Sequence, residues 1–187
     1  MITYRFCDFD RGERQRMWDA LCREVARVES HLGDCMLLAN YSLEGSLCDA
    51  LLVCNRGVVV FGLLGLHGDV VAREASPWND GSRLLGGKGL YRSPFLQLKQ
   101  QCSSAAHALQ QSAGGNIAPY IRACALLNND TTLHNEVDAR HGWLGCSRLV
   151  DLTTWLTALP LADKAMTDSL GAKEYVAAVV EKSAGSM

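Results

Sequence analysis

The stretch GVVVFGLLGLHG, residues 57–68, constrains this chain more than any other. From residue 57 to residue 66 there is no charged side chain, and His67 is the stretch's only titratable group. Valines and a phenylalanine in an unbroken apolar run favour a strand over a loop. A strand that is apolar at nearly every position has no face to give to water. It must lie at the centre of a sheet with cover on both sides.

The flanking sequence supplies that cover. Met17, Leu21, Val25, Val28 and Leu32 recur at spacings of three and four, which predicts a helix over 12–32 with one apolar face. Gly33 and Asp34 end it. CMLLANYSL reads as a strand, EGS as a turn, and LCDALLVC as a second strand; Asn55-Arg56-Gly57 is a tight turn into the central strand. DVVARE reads as a short strand, and SPWNDGSRLLGGKG as a long loop of the kind that often carries function. Ser93-Pro94 opens a helix whose buried stripe is Phe95, Leu98, Cys102, Ala105 and Leu109. A buried strand follows over 121–127, then a polar loop and a short strand over 148–150. Asp151 starts the helix LTTWLTAL, which Pro160 stops. This order predicts a three-layer α/β/α fold with a mixed central sheet over residues 1–160. Residues 161–187 read as a C-terminal helical extension and tail.

Length and composition narrow the function. A chain of 187 residues, 48% hydrophobic and 20% charged, suits one domain with a sizeable core. The net charge is −2 and no run of Lys or Arg stands out, which disfavours a protein that grips many phosphates directly. Eight cysteines show no C-x2-C or C-x4-C spacing, so no zinc site is expected; most sit in apolar runs, as buried reduced thiols of a cytoplasmic protein do. The opening MITYRFCDFDRGER is too polar for a secretory signal. No apolar run reaches the roughly 20 residues of a membrane span, so no membrane partner is expected. HNEVDARH gathers His, Glu, Asp and His, but without the spacing of H-E-x-x-H it reads as a solvated loop.

The polar landmarks around the central strand have an order of their own. Gly12-Glu13 opens the first helix, and Asp49 lies in the second strand. Gly57 and Gly68 bracket the third, Trp78 sits in the loop, and Pro94 and Gln97 start the next helix. This order resembles the nuclease-related domain of the PD-(D/E)xK, or restriction-endonuclease-like, superfamily. The resemblance covers residues 12–157, with Ser93 where that family usually has Asn. It implies a metal-dependent phosphodiester-cleaving site formed by the first helix, Asp49, an E-x-K motif on the third strand, and Gln97. In this chain the Glu position falls on Gly62 and the Lys position on Leu64. A hard cation needs carboxylate oxygens, and the lysine supports the attacking water and the developing charge. Both groups are missing.

The expected relic positions are therefore Glu13, Asp49, Gly62, Leu64 and Gln97. If they form one site, Asp49 and Leu64 share a face of the sheet; on opposite faces the alignment has slipped and the relic reading goes with it, because a one-residue slip reverses every side chain. The resulting expectation is a catalytically degenerate domain with no metal and no cofactor, acting as a binding or assembly subunit in bacterial nucleic-acid processing or defence. Trp78, Leu84, Leu85, Leu90 and Tyr91 form its candidate contact surface for a protein partner or a second copy of the chain. Nucleic acid would then be reached through that partner. The alternative is a Mg²⁺- or Mn²⁺-dependent DNA nuclease with migrated residues, drawn from Glu44, Asp69, Glu74, Lys88 and Lys99.

Overall fold

The computed structural model describes residues 1–6, 8–10, 12–43, 46–81, 84–85, 93–113 and 118–162. Glu44, Lys88, Leu90, Tyr91 and the extension beyond residue 162 lie outside them.

A six-stranded mixed sheet forms the middle layer. Its strands are β1 (Ile2–Arg5), β2 (Met36–Leu43), β3 (Ser46–Cys54), β4 (Gly57–Leu63), β8 (Ile121–Leu127) and β10 (Leu144–Arg148), adjacent in that order. β2, β3 and β4 form an antiparallel meander, and β8 then lies parallel to β4. The link from β4 to β8 passes through α3 (Pro94–Ala113). As expected from its composition, β4 is buried at all seven positions between β3 and β8.

Helices cover both faces, giving the three-layer α/β/α arrangement. On one face α1 (Gly12–Arg27), the short α2 (Glu29–Leu32) and α4 (Leu152–Ala158) bury Met17, Leu21, Val25, Leu32 and Leu156 against Leu37, Leu52, Phe61 and Leu63. On the other, α3 packs Phe95, Leu98, Ala105 and Leu109 against Leu38, Leu51, Val60 and Ala125. Two small pairs add to this second face: β5 (Gly68–Ala72) beside β9 (Thr131–Asn135), and β6 (Trp78–Asn79) beside β7 (Leu84–Leu85). No helix among the described residues is long and apolar enough to cross a membrane.

Several local choices set this frame. The turn before β4 needs Gly57, whose φ of 105° suits glycine and whose missing Cβ admits the Tyr120 carbonyl. The single helix expected over 12–32 is two, divided at Val28. Asn40 is the one non-glycine residue with positive φ among those described, at 50°. Asn tolerates that conformation, and the Asn40 amide donates to the Asp8 carbonyl at 2.8 Å. The kink shifts the pleat. Ala39 faces α1 while Tyr41 faces α3, and on β3 Ala50 and Cys48 divide in the same way around Asp49.

Two strands escape the periodicity. β1 is exposed at all four positions, so it shows no apolar alternation. β9 takes in the first residues of the stretch expected to be a loop, because Thr131, Leu133 and Asn135 pair with β5 rather than with a core strand. The last strand runs over Leu144–Arg148, ahead of the expected 148–150, and a 3-10 turn holds Leu149–Asp151.

Ser93 caps α3 as the Ser-Pro start implies. Its hydroxyl donates to the Glu74 carbonyl at 2.6 Å and accepts the Leu96 N–H at 3.2 Å. Ser93 is buried, so its loss leaves both groups unsatisfied. Ser93→Ala is expected to destabilise the domain by about 1–2 kcal/mol, read from urea unfolding with an unchanged denaturant slope.

Candidate functional site

Asp49 is the buried acid of the central sheet. The β3–β4 ladder reaches as far as Ala50 opposite Phe61. One position beyond, the Asp49 Oδ2 accepts the Leu63 N–H at 2.8 Å, so a carboxylate continues the pairing where a backbone carbonyl stood before. The Asp49 Oδ1 lies 3.2 Å from Nη1 of Arg14, in the first turn of α1. A buried charge needs such partners. Burial pushes the Asp49 carboxyl up from the usual carboxylate range; the Arg14 guanidinium and the Leu63 N–H, both favouring the ionised form, pull it back in part.

Glu13, one residue earlier on α1, reaches a second polar group at the carboxyl ends of β4 and β8. These two strands run parallel, and such strand ends are where open α/β sheets usually place ligands. The Glu13 Oε1 lies 3.0 Å from His67 Nε2 and 3.3 Å from the Asn128 amide nitrogen. His67 Nδ1 lies 2.9 Å from Asp130 Oδ2, and the His67 backbone N–H donates to Asp80 at 3.2 Å. His67 thus ties α1, the end of β4, the turn after β8 and the residue after β6 together. Gly65 makes the approach possible. Its φ is +57°, and a Cβ there would sit 2.6 Å from the Glu13 Cδ.

The expected relic positions divide between two faces. Glu13 and Asp49 do converge on the α1 side of β4. Gly62 and Leu64 do not join them. A Cβ on Gly62 would meet Leu98 and Leu64 at 3.3 Å, and Leu64 packs into the core on the α3 side. Gly62 and Leu64 therefore face α3, away from the Arg14 that holds Asp49, and the site expected from these five positions does not form. The β4 positions that meet Asp49 and Glu13 are Leu63, whose N–H binds Asp49, and Gly65, which abuts Glu13. Neither carries a charge. Gln97 is exposed on α3, and the neighbouring Leu98 is the residue that reaches β4.

The expected contact surface also changes. Trp78 is fully buried, with its indole N–H donating to the Arg73 carbonyl at 2.8 Å, so it is core rather than anchor. Leu84 is 62% exposed and remains available. Leu85 lies on β7 opposite Trp78, and Leu90 and Tyr91 lie outside the described residues. Among the other candidates, Glu74 is held by His141 at 3.3 Å and by the Asp138 N–H at 3.1 Å, while Asp69 and Lys99 are exposed. Arg14, Asn128 and Asp130 were missed. Only the charged pair Glu13-Arg14 at a helix start hinted at any of them, since the other two come from a turn 114 and more residues away in sequence.

These donors do not fit a divalent metal. A hard cation wants free oxygen ligands in near-octahedral or higher coordination. Here Asp49 is taken by Arg14 and a backbone N–H, Glu13 faces His67, and β4 adds no oxygen-bearing side chain. Among the described residues, no group of three or more His, Cys, Asp or Glu is arranged to hold a metal ion. Among the described residues the most deeply buried cysteines offer no thiolate chemistry. Burial pushes the thiols of Cys48 and Cys102 up to about 12 and that of Cys54 to about 11, far from a reactive thiolate. The seven described cysteines are free. No family model, curated protein or solved structure matches this chain.

Two predictions follow from the geometry around His67. Gly65→Ala is expected to cost about 1–2 kcal/mol, from the left-handed backbone alone, because the Glu13 carboxylate can swing away. The swing should show as a shifted His67 ring resonance. Second, hydrogen bonds from His67 to Asp130 and, next, to Glu13 raise its pKa above the ordinary histidine value. The bridge then stabilises the fold fully below the unfolded pKa of about 6.5, and that contribution is lost as pH rises through the higher folded value. An NMR titration should give a raised midpoint that falls further in Asp130→Asn than in Glu13→Gln.

Proposed function

We propose that this chain is a catalytically degenerate nuclease-related domain that works as a binding or assembly subunit. One observation carries the reading. Where Asp49 and Glu13 meet the central strand, that strand offers Leu63 and Gly65, and Asp49 is already neutralised by Arg14. The order of elements, a helix followed by an antiparallel meander and a crossover to a parallel strand, suits the restriction-endonuclease-like resemblance. A setting in bacterial nucleic-acid processing or defence rests on that resemblance alone. A cytoplasmic location suits seven free, largely buried thiols. The modest net charge of −2 favours a protein partner or a second copy of the chain, with nucleic acid reached through it.

Incubation with supercoiled plasmid and with single-stranded DNA, in Mg²⁺ and in Mn²⁺, should leave both substrates intact. Cleavage that disappears in Asp49→Ala would sink this reading and establish a working nuclease with migrated residues. Light scattering on the purified chain tests assembly. A dimer or larger species is expected, and Leu84→Glu, at the exposed leucine, should weaken it.

A further inference from the structure

One of the causes of the misfit between these residues and a divalent ion is Arg14. Its Nη1 lies 3.2 Å from Asp49 Oδ1 and 3.8 Å from Asp10 Oδ1. One nitrogen thus stands between two carboxylates, one buried in the sheet and one 69% exposed. A cation bridging Asp10 and Asp49 would occupy that space. The Arg14 side chain is itself 30% exposed, so the position opens to solvent and is not sealed by the core. Glu13, the next carboxylate on α1, has its own basic partner in His67, 3.0 Å away.

We propose that Arg14 is a built-in counter-cation that takes the place of a divalent ion on Asp49 and keeps the Asp10–Asp49 position metal-free. The inference rests on the degenerate-nuclease reading and adds to it. The loss of Glu and Lys from the central strand removes ligands, whereas Arg14 fills the remaining site. It also explains how Asp49 stays buried without a metal. An arginine is always charged, and it satisfies the acid at any metal concentration. A divalent ion cannot share the same oxygen with a guanidinium without paired repulsion and loss of the ion pair.

The test compares the wild-type chain with Arg14→Gln, which keeps most of the stem and removes the charge. Thermal midpoint and bound Mn²⁺ by electron paramagnetic resonance are followed through millimolar Mn²⁺. Wild type should bind no Mn²⁺ through Asp49, so Mn²⁺ should shift its midpoint no more than it shifts that of Asp49→Asn. Arg14→Gln should bind Mn²⁺ and gain about 3 °C or more, a gain lost in Arg14→Gln/Asp49→Asn. If Arg14→Gln is unfolded alone, folding restored by Mn²⁺ supports the proposal, and no restoration overturns it. A folded Arg14→Gln indifferent to Mn²⁺, or wild type that binds Mn²⁺ through Asp49, also overturns it. Plasmid cleavage by wild type is scored separately. An uncut plasmid with an indifferent Arg14→Gln removes the counter-cation role and leaves the degenerate-nuclease reading standing.

Discussion

Burying β4 on both faces is the constraint that the rest of the molecule serves. A seven-residue strand with no polar side chain can be placed only where two strands flank it and helices cover it above and below. β3 and β8 provide the flanks, α1 and α4 one cover, and α3 the other. The same demand explains the crossover. A parallel neighbour for β4 requires a connection long enough to carry a helix, and α3 is that connection. With its backbone paired on both edges and its side chains in two separate cores, β4 holds the frame on which every polar group near its end is positioned.

Electrostatics at that end follow from the shortage of charge on the strand. Asp49 is buried where β3 leaves the ladder, and β4 has nothing but a backbone N–H to offer it. The balancing charge comes from outside the sheet, as Arg14 on α1. Glu13 likewise finds its partner beyond the strand, in His67. Helix α1 therefore does two jobs with adjacent residues. Its apolar face closes the core, and its first turn exchanges charge with the strand ends. Asp49 and Glu13 each face a basic side chain.

Sequence periodicity made the helices, the meander and the central strand legible, because each buries a stripe or a face against one core. It did not reveal β1, which buries neither face, or β9, which pairs with β5 outside the main sheet. Trp78 illustrates a related limit. Its setting between Pro77 and a Gly-rich run looked like an exposed loop, but the tertiary fold turns the indole into the core and satisfies its N–H on Arg73. The facing of β4 was the most consequential point. Residue type says that 62 to 65 are uncharged, and no property of Gly or Leu says which of them looks toward Asp49.

By itself, then, the sequence determined that residues 57–66 carry no charged side chain, and that the strand within them must lie in a sheet with cover on both sides. Those properties are local. They depend on side-chain chemistry and on periods of two and of 3.6. Only the tertiary structure decided that Leu63 and Gly65 face the acids, that Arg14 neutralises Asp49, and that His67 joins Glu13 to Asp130. Those depend on the kink at Asn40, the pleat register of β3 on β4, and contacts across as many as 115 residues of chain. A one-residue difference in register exchanges the two faces, and no local preference of the strand fixes it.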